Sequence, residues 1–143
     1  GNGGSAADAQ HIAAELIGRY KMERNSIPAI SLTTDTSVLT SLSNDYSFDN
    51  IFSRQCDGLV NKGDVVIAIS TSGKSKNVIN GLTSAKNKGA KTIGLLGKKG
   101  GDMTDLVTIP IIVDSSSTAR IQEVHRVIYH IICELVEKRL SVK

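Results

Sequence analysis

At 143 residues the chain is long enough for one hydrophobic core and too short for two comfortable domains. Apolar residues make up 40% and charged residues 22%, the balance of an ordinary globular protein, and neither a signal-peptide pattern nor a membrane-length apolar run is present. The net charge of +3 is small and scattered, and aromatics reach only 3% with no Trp, which argues against a nucleic-acid platform and against a membrane surface while leaving small anions as partners.

Gly1-Asn2-Gly3-Gly4-Ser5 reads as a turn leading into an Ala-rich helix over Ala6–Tyr20, with Ser5 as its N-cap and Ile12 and Leu16 on its apolar face. Ala29–Leu32, after Pro28, reads as a short strand, and Thr36–Ser43 as a short helix. Asn44-Asp45-Tyr46-Ser47 has turn chemistry, and a helix is expected over Phe48–Leu59. Val65–Ile69 is a continuous β-branched run, the mark of a strand buried on both faces of a parallel sheet. An amphipathic helix over Ser75–Lys88 follows, closed by Gly89; Thr92–Leu96 and Val107–Val113 are further strands. Thr118–Leu140 is the last helix, with Ile121, Val124, Ile128, Ile131, Ile132, Leu135 and Val136 expected to face the core. Strands alternating with helices predict one α/β domain, its parallel sheet covered on both sides. Cys56 and Cys133 match no zinc spacing; Cys133 lies in an apolar run and is expected to be a buried, reduced thiol, which suits a cytoplasmic location.

The segment Ser70-Thr71-Ser72-Gly73-Lys74-Ser75 joins a strand to a helix N-terminus. The free N–H groups and positive dipole end of a first helical turn favour an anion, the hydroxyls add neutral donors, and Gly73 allows close backbone approach. No Walker-type spacing is present, so a phosphomonoester suits the loop better than a nucleoside triphosphate. Helix caps use the same residue types, so an ordinary polar connection is the competing reading.

His11 and Glu15 are four apart and share one helical face; Gln122 and His130 are eight apart, roughly 80° around a helix. A carboxylate and an imidazole suffice for aldose–ketose isomerisation, in which one group moves a carbon-bound proton and another an O–H proton. His11, Glu15, Gln122 and His130 also form a mixed N/O set suited to Zn²⁺. Spacing alone leaves open a plain surface pair for His11 and Glu15, and a core role for His130.

Gly1–His11, Ala14–Tyr20, Asn44-Asp45, Ile51–Gln55, Ile69–Gly73 and Thr118–His125 together resemble the bacterial phosphoheptose isomerases of the SIS (sugar isomerase) family, in order and over essentially the whole chain. The resemblance implies a flavodoxin-like, three-layer α/β fold and conversion of sedoheptulose 7-phosphate to D-glycero-D-manno-heptose 7-phosphate, the entry to heptoses of lipopolysaccharide core or surface glycans. By motif, Ser70, Thr71, Ser72 and Ser75 hold the phosphate, while Asn2, Gly3, Gly4, Ser5, Asn44, Asp45 and Gln122 meet the sugar chain. Glu15 and His130 become the acid–base pair, and His11, Glu15, Gln122 and His130 a zinc position. It further implies a homotetramer with sites shared between subunits. In the family a helical region and a first, central strand precede the glycine-rich turn, so the chain is expected to be N-terminally truncated. Two alternatives remain at this stage: an isomerase of another sugar phosphate, and a non-catalytic SIS module that binds phosphosugar or protein. The latter has no need of Glu15 and His130.

Overall fold

The computed structural model describes residues 1–141. Helix α1 spans Gly4–Ile17, α2 Thr36–Asp45 and α3 Ile51–Leu59, the last entered through a 3₁₀ turn at Phe48–Asn50. Then come β1 (Val65–Ser70), α4 (Lys76–Asn87), β2 (Lys91–Gly97), β3 (Ile109–Val113) and α5 (Thr118–Ser141). The strands form a parallel sheet in the order β1-β2-β3, with Ile69 paired to Leu95 and Leu95 to Ile111.

Alternation along the strands divides the core in two. Ala68 and Leu96 point to the side of α3 and α4, where they meet Ile51, Phe52, Val78 and Leu82. Ile69 and Leu95 point the other way, onto Ile12 of α1 and Tyr129 and Cys133 of α5. The sheet is therefore the middle of three layers, as the alternation of strands and helices predicts. Both cysteines are buried and unpaired, and burial pushes each thiol up to about 11, so they are held as inert thiols.

Several expectations are corrected. Ser5 does not cap α1: the helix starts two residues before the expected Ala6, after Gly3 at φ 54°, and Ser5 is buried in its first turn with its N–H on the Asn2 carbonyl at 3.0 Å. Asn44 and Asp45 belong to the end of α2 rather than to a turn, because the helical hydrogen bonding continues to Tyr46, whose N–H donates to the Leu42 carbonyl at 3.1 Å; Asp35 caps the start by accepting from the Val38 N–H at 2.9 Å. Residues 29–32 do not form a strand; a cavity of about 770 Å³ lies between residues 27–33 and β1, so no edge is within hydrogen-bonding reach. Burial on both faces holds for the inner part of the sheet only: Val65, Ile109 and Ile112 are exposed, since β1 begins at the rim and β3 is an edge strand.

The largest correction concerns α5. Its fully buried stripe is Ile121, His125, Tyr129, Cys133 and Glu137, while Val124, Ile131 and Leu135, expected inside, are exposed together with Val127. The polar members of the buried stripe have partners. His125 Nε2 donates to the Leu96 carbonyl at 3.0 Å, Tyr129 donates to Asp8, and Glu137 accepts from three consecutive backbone N–H groups at Tyr20, Lys21 and Met22. Hydrogen bonding offsets the desolvation that would otherwise exclude them.

Candidate active site

The hydroxyl-rich turn folds as a cradle between β1 and α4. Ser70, buried at the end of β1, accepts from the Gly73 N–H at 3.1 Å and shares contacts with Ser72 and Ser75 at 3.4 and 3.2 Å. Ser72 in turn accepts from the Lys74 N–H at 3.1 Å. Gly73 has φ 64°, and a Cβ there would lie 1.8 Å from the Gly100 carbonyl oxygen, so only glycine fits. Thr71 is half-buried next to Gly97, and Ser75 occupies the N-cap position of α4 without a side-chain cap bond, leaving first-turn N–H groups available.

The opening turn is tied to this cradle. Asn2 and Asn77 exchange two amide hydrogen bonds, at 2.9 and 2.8 Å, and Asn77 is buried in the first turn of α4. Sequence reading missed Asn77; its only signal was an amide two residues after Ser75. Asn44 donates to Asp45 at 2.8 Å on the exposed end of α2, near the 3₁₀ turn whose Asp49 pairs with Lys76 of α4 at 2.9 Å. Asn2, Gly3, Gly4 and Ser5 are thus beside the cradle, and Asn44 and Asp45 are on the neighbouring element.

Helices α1 and α5 run side by side in the same direction: Gly4 faces Gln122, Asp8 faces Arg126 and His11 faces Tyr129 and His130. This alignment brings His11, Glu15 and His130 together, with donor atoms all within 4.8 Å of one another and each side chain half-buried. His11 Nε2 lies 3.0 Å from Glu15 Oε1, and the rings of His11 and His130 meet edge-on at 5.1 Å. Gln122 is not part of this group in the protomer. Its amide rests against Gly4, seven residues before His11 and about 10 Å from it along the helix axis.

Donor atoms around one zinc ion lie about 2.0–2.2 Å from it, hence about 3.3–3.6 Å apart in a tetrahedron. Small side-chain rotations would close His11, Glu15 and His130 to that spacing, and two imidazoles with a carboxylate are a natural zinc set. Three protein donors leave a position for substrate oxygen. The residues present therefore fit the metal.

Glu15 is anchored by a clamp that the sequence did not reveal. Arg24, buried after α1, donates through its guanidinium to the Glu15 and Leu16 carbonyls at 2.8 and 2.9 Å, closing the end of the helix. Its Nε pairs with the buried Glu137 at 3.2 Å. Burial opposes the charge on Glu137, yet the N–H groups of Lys21, Met22 and Tyr20 together with Arg24 outweigh it and hold the carboxyl below its ordinary range.

The cradle and the His11–Glu15–His130 cluster are separate features of the protomer, since the cluster begins two turns along α1 from the end that meets Asn77. The exposed Val127, Ile131 and Leu135 lie on α5 beside His130, so a second copy covering that stripe would also wall the cluster.

No helix among the described residues is long and apolar enough to cross a membrane. The SIS domain family profile matches residues 1–97. The chain is 60% identical over 140 residues to the phosphoheptose isomerase of Geotalea daltonii, covering 98% of this chain and 73% of the relative, and 59% identical to that of Geobacter sulfurreducens, covering 98% and 74%. The solved structure of phosphoheptose isomerase from Neisseria gonorrhoeae superposes with a TM-score of 0.90 at 43% identity, over 96% of this chain and 73% of that one. One from Francisella tularensis gives 0.91 at 36% identity, over the same shares. On the matched family profile, the 60% identity and the shared fold, the chain belongs to the SIS domain family, among the phosphoheptose isomerases.

Proposed function

We propose that the protein interconverts sedoheptulose 7-phosphate and D-glycero-D-manno-heptose 7-phosphate through an enediol, supplying heptose for lipopolysaccharide core or surface glycans. The observation that carries this reading is the meeting of Glu15 and His130, from the first and last helices, in one half-buried cluster. In this reading Ser70, Thr71, Ser72 and Ser75 with the first turn of α4 bind the phosphate. Asn2, Gly3, Gly4, Ser5, Asn44, Asp45 and Gln122 border the sugar chain. Glu15 and His130 move the protons between C1, C2 and their oxygens. His11, Glu15 and His130 hold the zinc ion, which when bound polarises the substrate carbonyl.

The working form in this reading is a homotetramer in the cytoplasm. A seam between copies along Val124, Val127, Ile131 and Leu135 removes an exposed apolar stripe from water. It also brings a neighbour's groups, Gln122 among them, towards the His11–Glu15–His130 cluster.

Incubating the protein with sedoheptulose 7-phosphate tests the activity directly, by appearance of the aldose product. Glu15→Gln should lower turnover by about 10²–10⁴-fold while phosphosugar binding survives, because the amide keeps the shape but cannot take a proton. Turnover close to the unsubstituted protein's would remove Glu15 from the acid–base pair.

A further inference from the structure

We propose that Tyr129 and Asp8 are positioning residues that fix the tautomer of His11, so that its Nε2 lone pair is presented to a metal ion held with Glu15 and His130. The inference rests on the reading of that cluster as a metal site and assigns two residues outside it.

The Tyr129 hydroxyl lies 2.9 Å from His11 Nδ1 and 3.2 Å from Asp8 Oδ1. Tyr129 and Asp8 are both buried, so their contact is closed to water, while the contact to His11 is half-buried. A phenol has one proton, and a carboxylate oxygen can only accept. The same Asp8 oxygen also accepts from the Arg126 guanidinium at 3.3 Å. The phenolic proton therefore goes to Asp8, and the phenolic oxygen is left as an acceptor facing Nδ1. For that 2.9 Å contact to be a hydrogen bond, the proton of His11 must be on Nδ1.

Nε2 then carries a lone pair 3.0 Å from Glu15 Oε1, which is also an acceptor. Two acceptors at that separation repel unless a cation lies between them, either a proton or a metal ion. The ring faces add to the constraint: Tyr129 packs edge-on against both His11 and His130, at 5.4 and 4.8 Å between centroids, which restricts rotation of either imidazole. A histidine whose second nitrogen is tied to a buried acceptor is the usual arrangement of a metal ligand, and loss of that tie typically weakens metal binding 10–100-fold.

The test uses the full chain with Zn²⁺ as the probe, in a chelator-competition titration, together with long-range ¹H–¹⁵N NMR of the metal-free His11 ring. In the unsubstituted protein His11 should show Nδ1–H. Tyr129→Phe, which removes only the hydroxyl, should weaken Zn²⁺ binding about 10–100-fold and release the tautomer. Asp8→Asn should reverse the tautomer to Nε2–H, because an amide can donate to the phenolic oxygen and turn its proton towards Nδ1. An Nε2–H tautomer in the unsubstituted protein, or Tyr129→Phe with unaltered tautomer and Zn²⁺ affinity, overturns the proposal. If no form binds Zn²⁺ but the tautomer still follows Tyr129 and Asp8, the metal reading fails while the tautomer lock stands.

Discussion

Gly73→Ala offers the most direct measure of how the cradle is held. The position has φ 64°, where a side chain costs about 1–2 kcal/mol in backbone strain. In addition, the new Cβ would lie 1.8 Å from the Gly100 carbonyl oxygen, and that oxygen belongs to backbone that cannot swing aside. Overpacking of this kind adds about 1–3 kcal/mol, so the total is about 2–5 kcal/mol. For a chain of this size, that corresponds to a Tm lowered by roughly 8–20 °C. Gly63→Ala is the internal control: φ is 94° there and no atom lies within 4 Å of the added Cβ, so only the strain of about 1–2 kcal/mol is expected. Thermal unfolding of both variants, with steady-state kinetics on the sugar phosphate, separates the contributions. The Gly73 N–H is bonded to Ser70 and its carbonyl to the Met103 N–H, so displacing the turn should raise KM more than it lowers kcat. A Gly73→Ala protein as stable as Gly63→Ala, with unchanged KM, would refute the close packing of cradle and glycine turn.

Two further outcomes follow from α5. Burial lowers the pKa of His125 below its ordinary value, against the pull of the Leu96 carbonyl and the Asp8 charge, and Nδ1 has no partner. The unfolded chain therefore binds the proton first, and stability falls as pH drops below about 6.5, by at most about 1.4 kcal/mol per pH unit from this group. His125→Gln keeps a donor for Leu96 and should flatten that part of the pH profile in thermal melts between pH 7.5 and 5.5; an equally steep profile would reject the assignment. Leu135→Glu, on the exposed stripe, should leave the monomer fold intact and reduce the assembled mass measured by light scattering. An undiminished mass would place the proposed seam elsewhere.

Much of the site was legible in the sequence because it is local. The hydroxyls of residues 70–75 follow a β-branched run and precede an amphipathic helix, and His11 and Glu15 are one helical turn apart; no distant residue is needed to see either. Strands β1 and β2 and helices α1, α4 and α5 were placed within a few residues for the same reason. The meeting of Glu15 with His130 was expected from the family resemblance, but other contacts between residues more than seventy positions apart were not legible. Asn77 with Asn2, Glu137 with Arg24, and Tyr129 with Asp8 and His11 depend on how helices settle against the sheet.

Helix α5 shows where the boundary falls. Its sequence carries two stripes: Val124, Val127, Ile131 and Leu135 on one side, and Ile121, His125, Tyr129, Cys133 and Glu137 on another. Hydrophobicity alone favours burying the first, and the fold buries the second. Periodicity is a property of one helix and fixes only that a face exists. Which face turns inward depends on whether buried polar groups find partners, and those partners (the Leu96 carbonyl, Asp8 and the N–H groups of residues 20–22) are supplied by other parts of the chain.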